Sequence, residues 1–150
     1  LIVLQNFSKI YGLAGIRVGF GVAPETIIKS IFKVKEPFNV NMLAQIGGTA
    51  AIADVKHVQS SRAVNKHGRE QLYQALSNLG LYYIESMSNF VLVKIGKNAK
   101  DVYTKLMVKG VIVRYGDIWG LPEYVRISVG TPTENATLIE CISSILRNNY

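Results

Sequence analysis

The hydrophobic periodicity of the chain changes at Gly80, and this change limits the folds that are open to it. Before Gly80, residues 55–79 form a long polar-faced segment with leucines at helical spacing, which is typical of an amphipathic helix. After Gly80, short apolar runs typical of strands alternate with two helical segments. The pattern predicts two folded parts joined by a long helix, with both helices and strands in the second part.

The first forty residues predict two strands followed by a helix. Residues 1–4 are an apolar run that predicts a buried strand, and residues 19–23 predict a second strand close beside it. Pro24 is expected in the first turn of the helix. Pro37 is expected to stop it, because the residue before a proline avoids the helical conformation. These elements suggest the end of a parallel-sheet domain.

Residues 42–54 predict a helix whose small side chains allow close packing. Its two adjacent glycines, Gly47 and Gly48, each cost about 1 kcal/mol relative to alanine in a helix interior. The pair therefore predicts either a close approach of another backbone or a break in the helix.

The residues after Gly80 predict a small α+β domain. Strands are expected at residues 81–84, 90–95, 111–114 and 124–129, and helices at residues 98–109 and from Pro132 to about Asn148. Gly80 is placed to cap the helix before it in the left-handed conformation, and Gly110 is expected to end the helix at residues 98–109. Thr131 and Glu134 have the spacing of a capping box that starts the last helix.

Lys9 stands where the first predicted strand ends, and a glycine-loosened loop and Arg17 follow it. An amine at the rim of a parallel sheet suits Schiff-base chemistry with a carbonyl cofactor, whose phosphate Ser8 and Arg17 would hold. The alternative is a surface lysine in a strand-to-helix turn. On residue type alone this alternative is favoured, because most lysines are exposed.

Composition restricts the other functions open to the chain. The net charge of +7 is compatible with nucleic acid, a membrane face or an anionic substrate, but the basic residues are scattered from Lys9 to Arg147. No apolar segment approaches the roughly 20 residues that span a bilayer. His57 and His67 are ten positions apart, so they do not share a face of a helix. No cysteine or carboxylate set completes a metal site with them. Cys141 is the single cysteine, which excludes an internal disulfide and fits a reducing cytosol.

Residues 6–19 read NFSKIYGLAGIRVG. This run resembles the cofactor-lysine segment of the pyridoxal-phosphate-dependent aminotransferases of fold type I, and within them the histidinol-phosphate aminotransferase branch. The resemblance continues through residues 36–41, 89–91 and 126–132. It covers essentially the whole chain, but only the C-terminal part of the family. The fold class it implies is α/β, with residues 1–40 as a remnant of the large cofactor-binding domain, 41–79 as connecting helices and 80–150 as the small C-terminal α+β domain.

The resemblance implies that Lys9 binds pyridoxal 5′-phosphate covalently and moves a proton during the reaction. Ser8 and Arg17 would bind the cofactor phosphate. Asn6 stands where the family often has serine or threonine, and it is a further candidate for cofactor binding. For Arg17, a salt bridge at the sheet rim is the structural alternative.

Arg126 matches the family's arginine that holds the acidic group of the substrate, which is the α-carboxylate in most members and would be the phosphate in this branch. Arg114, on the neighbouring predicted strand, could converge on the same anion. The alternatives are a solvated strand face for Arg126, since strand side chains alternate, and an unpaired edge position for Arg114.

By resemblance, the expected activity is transfer of an amino group between histidinol phosphate and 2-oxoglutarate, in histidine biosynthesis, by a cytoplasmic homodimer that binds neither nucleic acid nor membrane. The absence of an initiator methionine suggests a piece of a longer protein. The family's aspartate on the pyridine nitrogen, its ring-stacking aromatic and its partner-subunit tyrosine would lie upstream, so the 150-residue chain alone is expected to be inactive.

Two other functions stay open. One lies within the same fold, an aromatic or broad-specificity aminotransferase or a decarboxylase of a phosphorylated amino acid. The other is a basic, non-catalytic module that binds nucleic acid, for which salt-sensitive binding without a cofactor is expected.

Overall fold

The computed structural model describes residues 1–147, and the chain divides into two compact units, Leu1–Arg62 and Ala63–Tyr150. The boundary falls within the long helix α3, Val55–Asn78. This helix begins and ends within one residue of its predicted limits. The predicted division at residues 40 and 80 stays a prediction.

The first unit contains two short strands, β1 (Val3–Asn6) and β2 (Gly19–Val22). They pair antiparallel, with Asn6 opposite Gly19, so the parallel sheet expected here is not present among residues 1–147. All four residues of β1 are exposed, and the expectation of a buried strand is wrong for this reason. A ribbon of two strands has no further strands beside it and cannot form the two-sided buried layer that a continuous apolar run favours.

Two further helices follow the ribbon, α1 (Glu25–Val34) and α2 (Met42–Ala53). Pro24 lies immediately before α1, at its N-cap. Asn41 caps α2, because its side-chain Oδ1 accepts a hydrogen bond of 2.8 Å from the Ala44 amide. Each helix begins within a residue of the predicted position, and α1 ends three residues before Pro37.

Helix α2 continues without a break through Gly47 and Gly48. A β-carbon on Gly47 would lie 3.1 Å from Ile16 Cδ1, and one on Gly48 would lie 3.8 Å from the Phe7 ring. Both predicted alternatives, a close approach of another backbone and a break in the helix, are wrong, because side chains rather than a backbone approach the two glycines. The glycines therefore give room to the loop between β1 and β2.

The second unit is built on a four-stranded antiparallel sheet with the strand order β3-β4-β6-β5. The strands are β3 (Tyr82–Ile84), β4 (Phe90–Lys94), β5 (Arg114–Tyr115) and β6 (Tyr124–Ser128), and the helices are α4 (Ala99–Val108) and α5 (Pro132–Arg147). The predicted end of α5 near Asn148 lies outside the described residues.

The strand predicted at residues 111–114 is misplaced, because β5 covers only Arg114 and Tyr115. Gly110 follows the end of α4 and adopts a φ of 80°, the left-handed conformation common after a helix. The Val111 amide then donates to the Leu106 carbonyl over 2.9 Å. Val111 thus completes the end of α4, and this use of its amide delays the start of the strand.

One face of this sheet supplies the core. Val91, Val93, Val125 and Ile127 alternate along β4 and β6 and are almost completely buried. They belong to one apolar cluster with residues of three helices, among them Leu72, Leu106 and Ile142. Since strand side chains alternate, this arrangement puts Arg126 on the opposite face of the sheet.

The capping box predicted at Thr131 is present. The Thr131 amide donates to Glu134 Oε2 over 2.7 Å, and the Glu134 amide donates to Thr131 Oγ1 over 3.3 Å. The backbone and side-chain hydrogen bonds from Thr131 hold the pKa of the Glu134 carboxyl below its usual value. Helix α5 therefore starts at Pro132, directly after the capping threonine.

Candidate active site

Lys9 lies in a tight turn directly after β1, with its side chain exposed. Its carbonyl accepts a hydrogen bond of 2.9 Å from the Gly12 amide, and Gly12 has a φ of 69°. Phe7 anchors this turn, because it is only 4% exposed and packs against the Tyr11 ring at 4.9 Å between centroids. The fold thus presents the lysine amine on a fixed backbone.

Asn6 and Ser8 flank the buried Phe7. The Ser8 amide donates a hydrogen bond of 2.9 Å to Asn6 Oδ1, so the Asn6 side chain supports the turn itself. No hydrogen-bond partner contacts Ser8 Oγ among residues 1–147. The hydroxyl is free to donate to a ligand, whereas Asn6 could contribute only its amide Nδ2.

Arg17 ends a short 3-10 helix, Ala14–Ile16, in the left-handed conformation with a φ of 58° and a ψ of 63°. This conformation is uncommon for a residue other than glycine and often occurs at binding sites. Its Nη1 donates to the Ala14 carbonyl over 2.6 Å, and the side chain is otherwise exposed. No carboxylate pairs with Arg17 within the described chain, so the predicted alternative of a rim salt bridge has no partner there.

Two side chains from later in the chain hold the loop that carries Lys9 and Arg17. His57 Nε2 donates to the Ile10 carbonyl over 2.9 Å, and Asn41 Nδ2 donates to the Ile16 carbonyl over 3.1 Å. A carbonyl can only accept, so His57 must carry a hydrogen on Nε2.

Sequence reasoning missed both of these roles. It considered His57 only as a metal ligand and Asn41 only as part of a resembling segment. The N-cap position of Asn41 was a usable signal, whereas nothing local in the sequence connects His57 with a residue 47 positions away.

In the second unit, Arg114 and Arg126 lie directly opposite each other on β5 and β6. The sequence expectation that the two arginines converge is consistent with this register. Like charges in a directly opposed strand pair are destabilising. An anion that contacts both guanidinium groups would offset that repulsion.

Two aromatic rings pack against Arg126. Its Cζ atom lies 5.2 Å from the Phe90 ring centroid and 5.4 Å from that of Trp119. The Arg126 Nε atom is buried and has no acceptor in the described residues, which costs on the order of 1–3 kcal/mol. Arg126 therefore does not lie on a freely solvated strand face, and Trp119 is a further candidate site residue, which the sequence placed only in a loop.

The strand ends around Arg126 are tied down by side chains. Tyr73 Oη accepts a hydrogen bond of 2.7 Å from the Ser86 amide, and Arg69 Nη1 donates to the Ser88 carbonyl over 3.0 Å. At the same end of the sheet, just after β6, the buried Asn135 accepts from the Gly130 amide over 2.9 Å. The sheet positions that carry Phe90 and Arg126 are thus fixed from α3 and α5.

Neither a metal site nor a membrane span is found within residues 1–147. No group of three or more histidine, cysteine, aspartate or glutamate side chains is placed to hold a metal ion there. Every helix of this part of the chain is too short or too polar to cross a bilayer.

Known proteins resemble the chain over nearly its full length. The family model for aminotransferase class I and II matches residues 1–142. Histidinol-phosphate aminotransferase from Moorella thermoacetica is 47% identical over 146 residues, covering 97% of this chain and 38% of that protein. The histidinol-phosphate aminotransferase of Akkermansia muciniphila is also 47% identical over 146 residues, covering 97% of this chain and 40% of its own.

A solved structure with the same fold is the histidinol-phosphate aminotransferase of Sinorhizobium meliloti in complex with pyridoxal-5′-phosphate. It is 27% identical with a TM-score of 0.85, and the match covers 96% of this chain and 41% of that chain. The chain spans about two fifths of the length of the curated relatives that it matches. The mixed fold agrees with the α/β class and the fold type I aminotransferase architecture expected from the sequence. The family match over residues 1–142, together with these relatives, establishes that the chain belongs to the aminotransferase class I and II family.

Proposed function

We propose that the full-length protein is a pyridoxal-phosphate-dependent transaminase that moves an amino group between histidinol phosphate and 2-oxoglutarate. The observation that carries the proposal is the exposed Lys9 amine on a turn anchored by Phe7, with Arg17 at the end of the same loop. Relatives named histidinol-phosphate aminotransferase, at 47% identity, support the choice of substrate.

The donor groups of this loop fit the cofactor. A phosphate needs hydrogen-bond donors and positive charge, and Ser8 Oγ and the exposed Arg17 guanidinium can supply both. An aldehyde needs a reactive amine, and Lys9 supplies one on a fixed backbone. Asn6 is a weaker candidate, because its Oδ1 is already engaged by the Ser8 amide.

Pyridoxal phosphate, when bound, supplies an electron sink for the carbanion that forms when a proton leaves the substrate Cα. Lys9 Nζ would hold the cofactor's aldehyde carbon until substrate arrives. As a neutral amine, Lys9 Nζ would then take the proton from the substrate Cα and deliver it to the C4′ atom of the cofactor. Ser8 and Arg17 would keep the cofactor in register through its phosphate.

We further propose that Arg126 binds the acidic group of the substrate, with Arg114 as a second cation for the same anion. The support is the opposed register of the two arginines and the absence of an acceptor for Arg126 Nε in the described residues. A phosphate ester carries close to two negative charges at neutral pH, which match two guanidinium groups better than a singly charged carboxylate does, and this favours the phosphorylated substrate.

By family resemblance, we also expect the full-length protein to act as a homodimer in the cytoplasm, without nucleic-acid or membrane partners. The scattered basic residues support this expectation, since they form no continuous stripe along the sequence. Size-exclusion chromatography with light scattering tests the dimer. A salt series of filter binding with DNA and RNA tests the nucleic-acid alternative, for which steep loss of binding with salt would count.

The deciding experiment compares substrates with the full-length protein. Turnover of histidinol phosphate with 2-oxoglutarate is expected to exceed that of phenylalanine, and Lys9→Ala is expected to abolish both. No activity on the phosphate ester beside good activity on phenylalanine would favour the aromatic aminotransferase. Release of carbon dioxide from a phosphorylated amino acid would favour the decarboxylase.

A further inference from the structure

Asn41 makes two hydrogen bonds that serve different elements. Its Oδ1 accepts from the Ala44 amide over 2.8 Å and caps α2. Its Nδ2 donates to the Ile16 carbonyl over 3.1 Å, across 25 positions of sequence. The first bond is an ordinary helix cap, but the second reaches into the loop that carries Arg17.

The Ile16 carbonyl belongs to the peptide plane that enters Arg17. The orientation of that plane relative to the Arg17 Cα defines φ, which is 58° here. On the other side of Arg17, the Val18 carbonyl accepts from the Phe7 amide over 3.1 Å. Arg17 is thus held between two fixed backbone groups, in a conformation that a residue with a β-carbon adopts at a cost.

We propose that Asn41 is a positioning residue for Arg17, and that its Nδ2 hydrogen bond sets the direction in which the guanidinium meets the cofactor phosphate. This inference rests on the proposed function, because it takes Arg17 as the phosphate ligand. Asn41 itself touches neither cofactor nor substrate in this role. It acts through the backbone at Ile16.

The chain offers a substitution that separates the two bonds of Asn41. Serine caps a helix about as well as asparagine, but its shorter side chain has no amide to reach the Ile16 carbonyl. Asn41→Ser therefore keeps the cap and removes the loop contact. Asn41→Asp is a second variant, since it caps α2 equally well and can only accept at this position.

The experiment measures the affinity of the full-length apoenzyme for pyridoxal 5′-phosphate and for pyridoxal, which lacks the phosphate. In wild type the phosphate form is expected to bind more tightly. Asn41→Ser is expected to weaken the binding of pyridoxal phosphate by about tenfold, the order of one lost hydrogen bond between neutral groups, and to change pyridoxal binding less than twofold. Asn41→Asp is expected to show the same selective loss of pyridoxal phosphate binding as Asn41→Ser. Circular dichroism checks that each variant folds.

Arg17→Ala is measured alongside as a reference for the phosphate contact. If Asn41→Ser weakens both ligands equally, Asn41 is merely structural and the inference is overturned. If Asn41→Ser and Asn41→Asp leave both ligands unchanged while Arg17→Ala selectively weakens pyridoxal phosphate, the inference fails but the proposed function stands. If Arg17→Ala keeps the wild-type preference for pyridoxal phosphate over pyridoxal, the phosphate role of Arg17 and the inference fall together.

Discussion

Trp119 and Arg126 form a cation–π contact in which the guanidinium carbon lies 5.4 Å from the centroid of the indole ring. The turn that carries Trp119 is closed by a hydrogen bond of 3.1 Å from the Leu121 amide to the Gly116 carbonyl. A side chain on Gly116 would collide with the carbonyls of Leu121 and Tyr124. The position of the indole beside Arg126 thus depends on a tight turn that only glycine permits.

Trp119→Ala should weaken substrate binding more than it slows the chemical step. A cation–π contact of this kind is worth about 0.5–2 kcal/mol, so we expect KM for histidinol phosphate to rise about fivefold with kcat within twofold. Trp119→Phe is the matched control. It keeps an aromatic ring beside Arg126, so its KM should stay close to that of the wild type. Steady-state kinetics of the full-length protein measure both constants. An equal fall in kcat and kcat/KM without a change in KM would contradict a role in substrate binding.

Removal of Arg126 should cost more than removal of Arg114. Arg126 is partly buried against two rings, whereas Arg114 is exposed on β5. Charged hydrogen bonds contribute about 1.5–3 kcal/mol each, and we expect kcat/KM for histidinol phosphate to fall about 100-fold in Arg126→Ala and about tenfold in Arg114→Ala. Arg147→Ala, in the last turn of α5, controls for loss of general positive charge.

Combining Arg114→Ala and Arg126→Ala in one protein tests whether the two arginines bind the same anion or act independently. With a shared site, the double variant should lose less than the product of the single losses, because the two arginines bind one group. Strict additivity of the free-energy changes would show that Arg114 acts elsewhere.

Gly68→Ala should destabilise the protein although alanine favours helices. A β-carbon on Gly68 would collide with Val129 Cγ1 and lie 3.1 Å from Asn135 Nδ2. Overpacking of this kind costs about 1–3 kcal/mol, against roughly 1 kcal/mol gained in helix propensity. Gly48→Ala is the matched control, since its β-carbon would meet Phe7 at an ordinary 3.8 Å. Urea unfolding should show a lower midpoint for Gly68→Ala only.

The capping box should make stability depend on pH in the acidic range. Hydrogen bonds from Thr131 lower the pKa of Glu134, so the folded protein binds this proton more weakly than the unfolded chain does. The contribution to stability is present above the carboxyl's ordinary pKa of about 4.3 and is lost as the pH falls through the lowered value.

Glu134→Gln removes this titration and provides its test. The difference in unfolding free energy between wild type and variant should be constant at neutral pH and shrink on acidification. A difference that grew as the pH fell would contradict the assignment. Since Glu134 is exposed, the whole effect is expected to be small.

Local signals in the sequence were sufficient for most element boundaries. Gly80 has a φ of 67°, and the Leu81 amide donates to the Leu76 carbonyl over 3.0 Å, which is the helix ending expected there. The prediction failed where a local pattern competed with tertiary structure. Residues 1–4 look like a buried strand, but burial depends on which other elements cover them, and that information is not local.

The candidate site was predicted to a similar degree. Lys9, Arg17 and Arg126 could be singled out from motif and resemblance, and their functional roles stay predictions. His57 could not be found, because it contacts a carbonyl 47 positions away in sequence. Trp119 is close to Arg126 in sequence, but no local pattern shows that its ring packs against the guanidinium. Their contribution appears only once the loops are closed.

The shortness of β5 has a consequence for the solubility of the second unit. This strand lies at one edge of the four-stranded sheet and contains only Arg114 and Tyr115. Short, charged edge strands prevent sheets of neighbouring molecules from pairing with each other and aggregating. If Arg114 binds the substrate as proposed, it serves two purposes, and an apolar residue in its place would remove both a cation for the substrate and the charge that opposes edge-to-edge association.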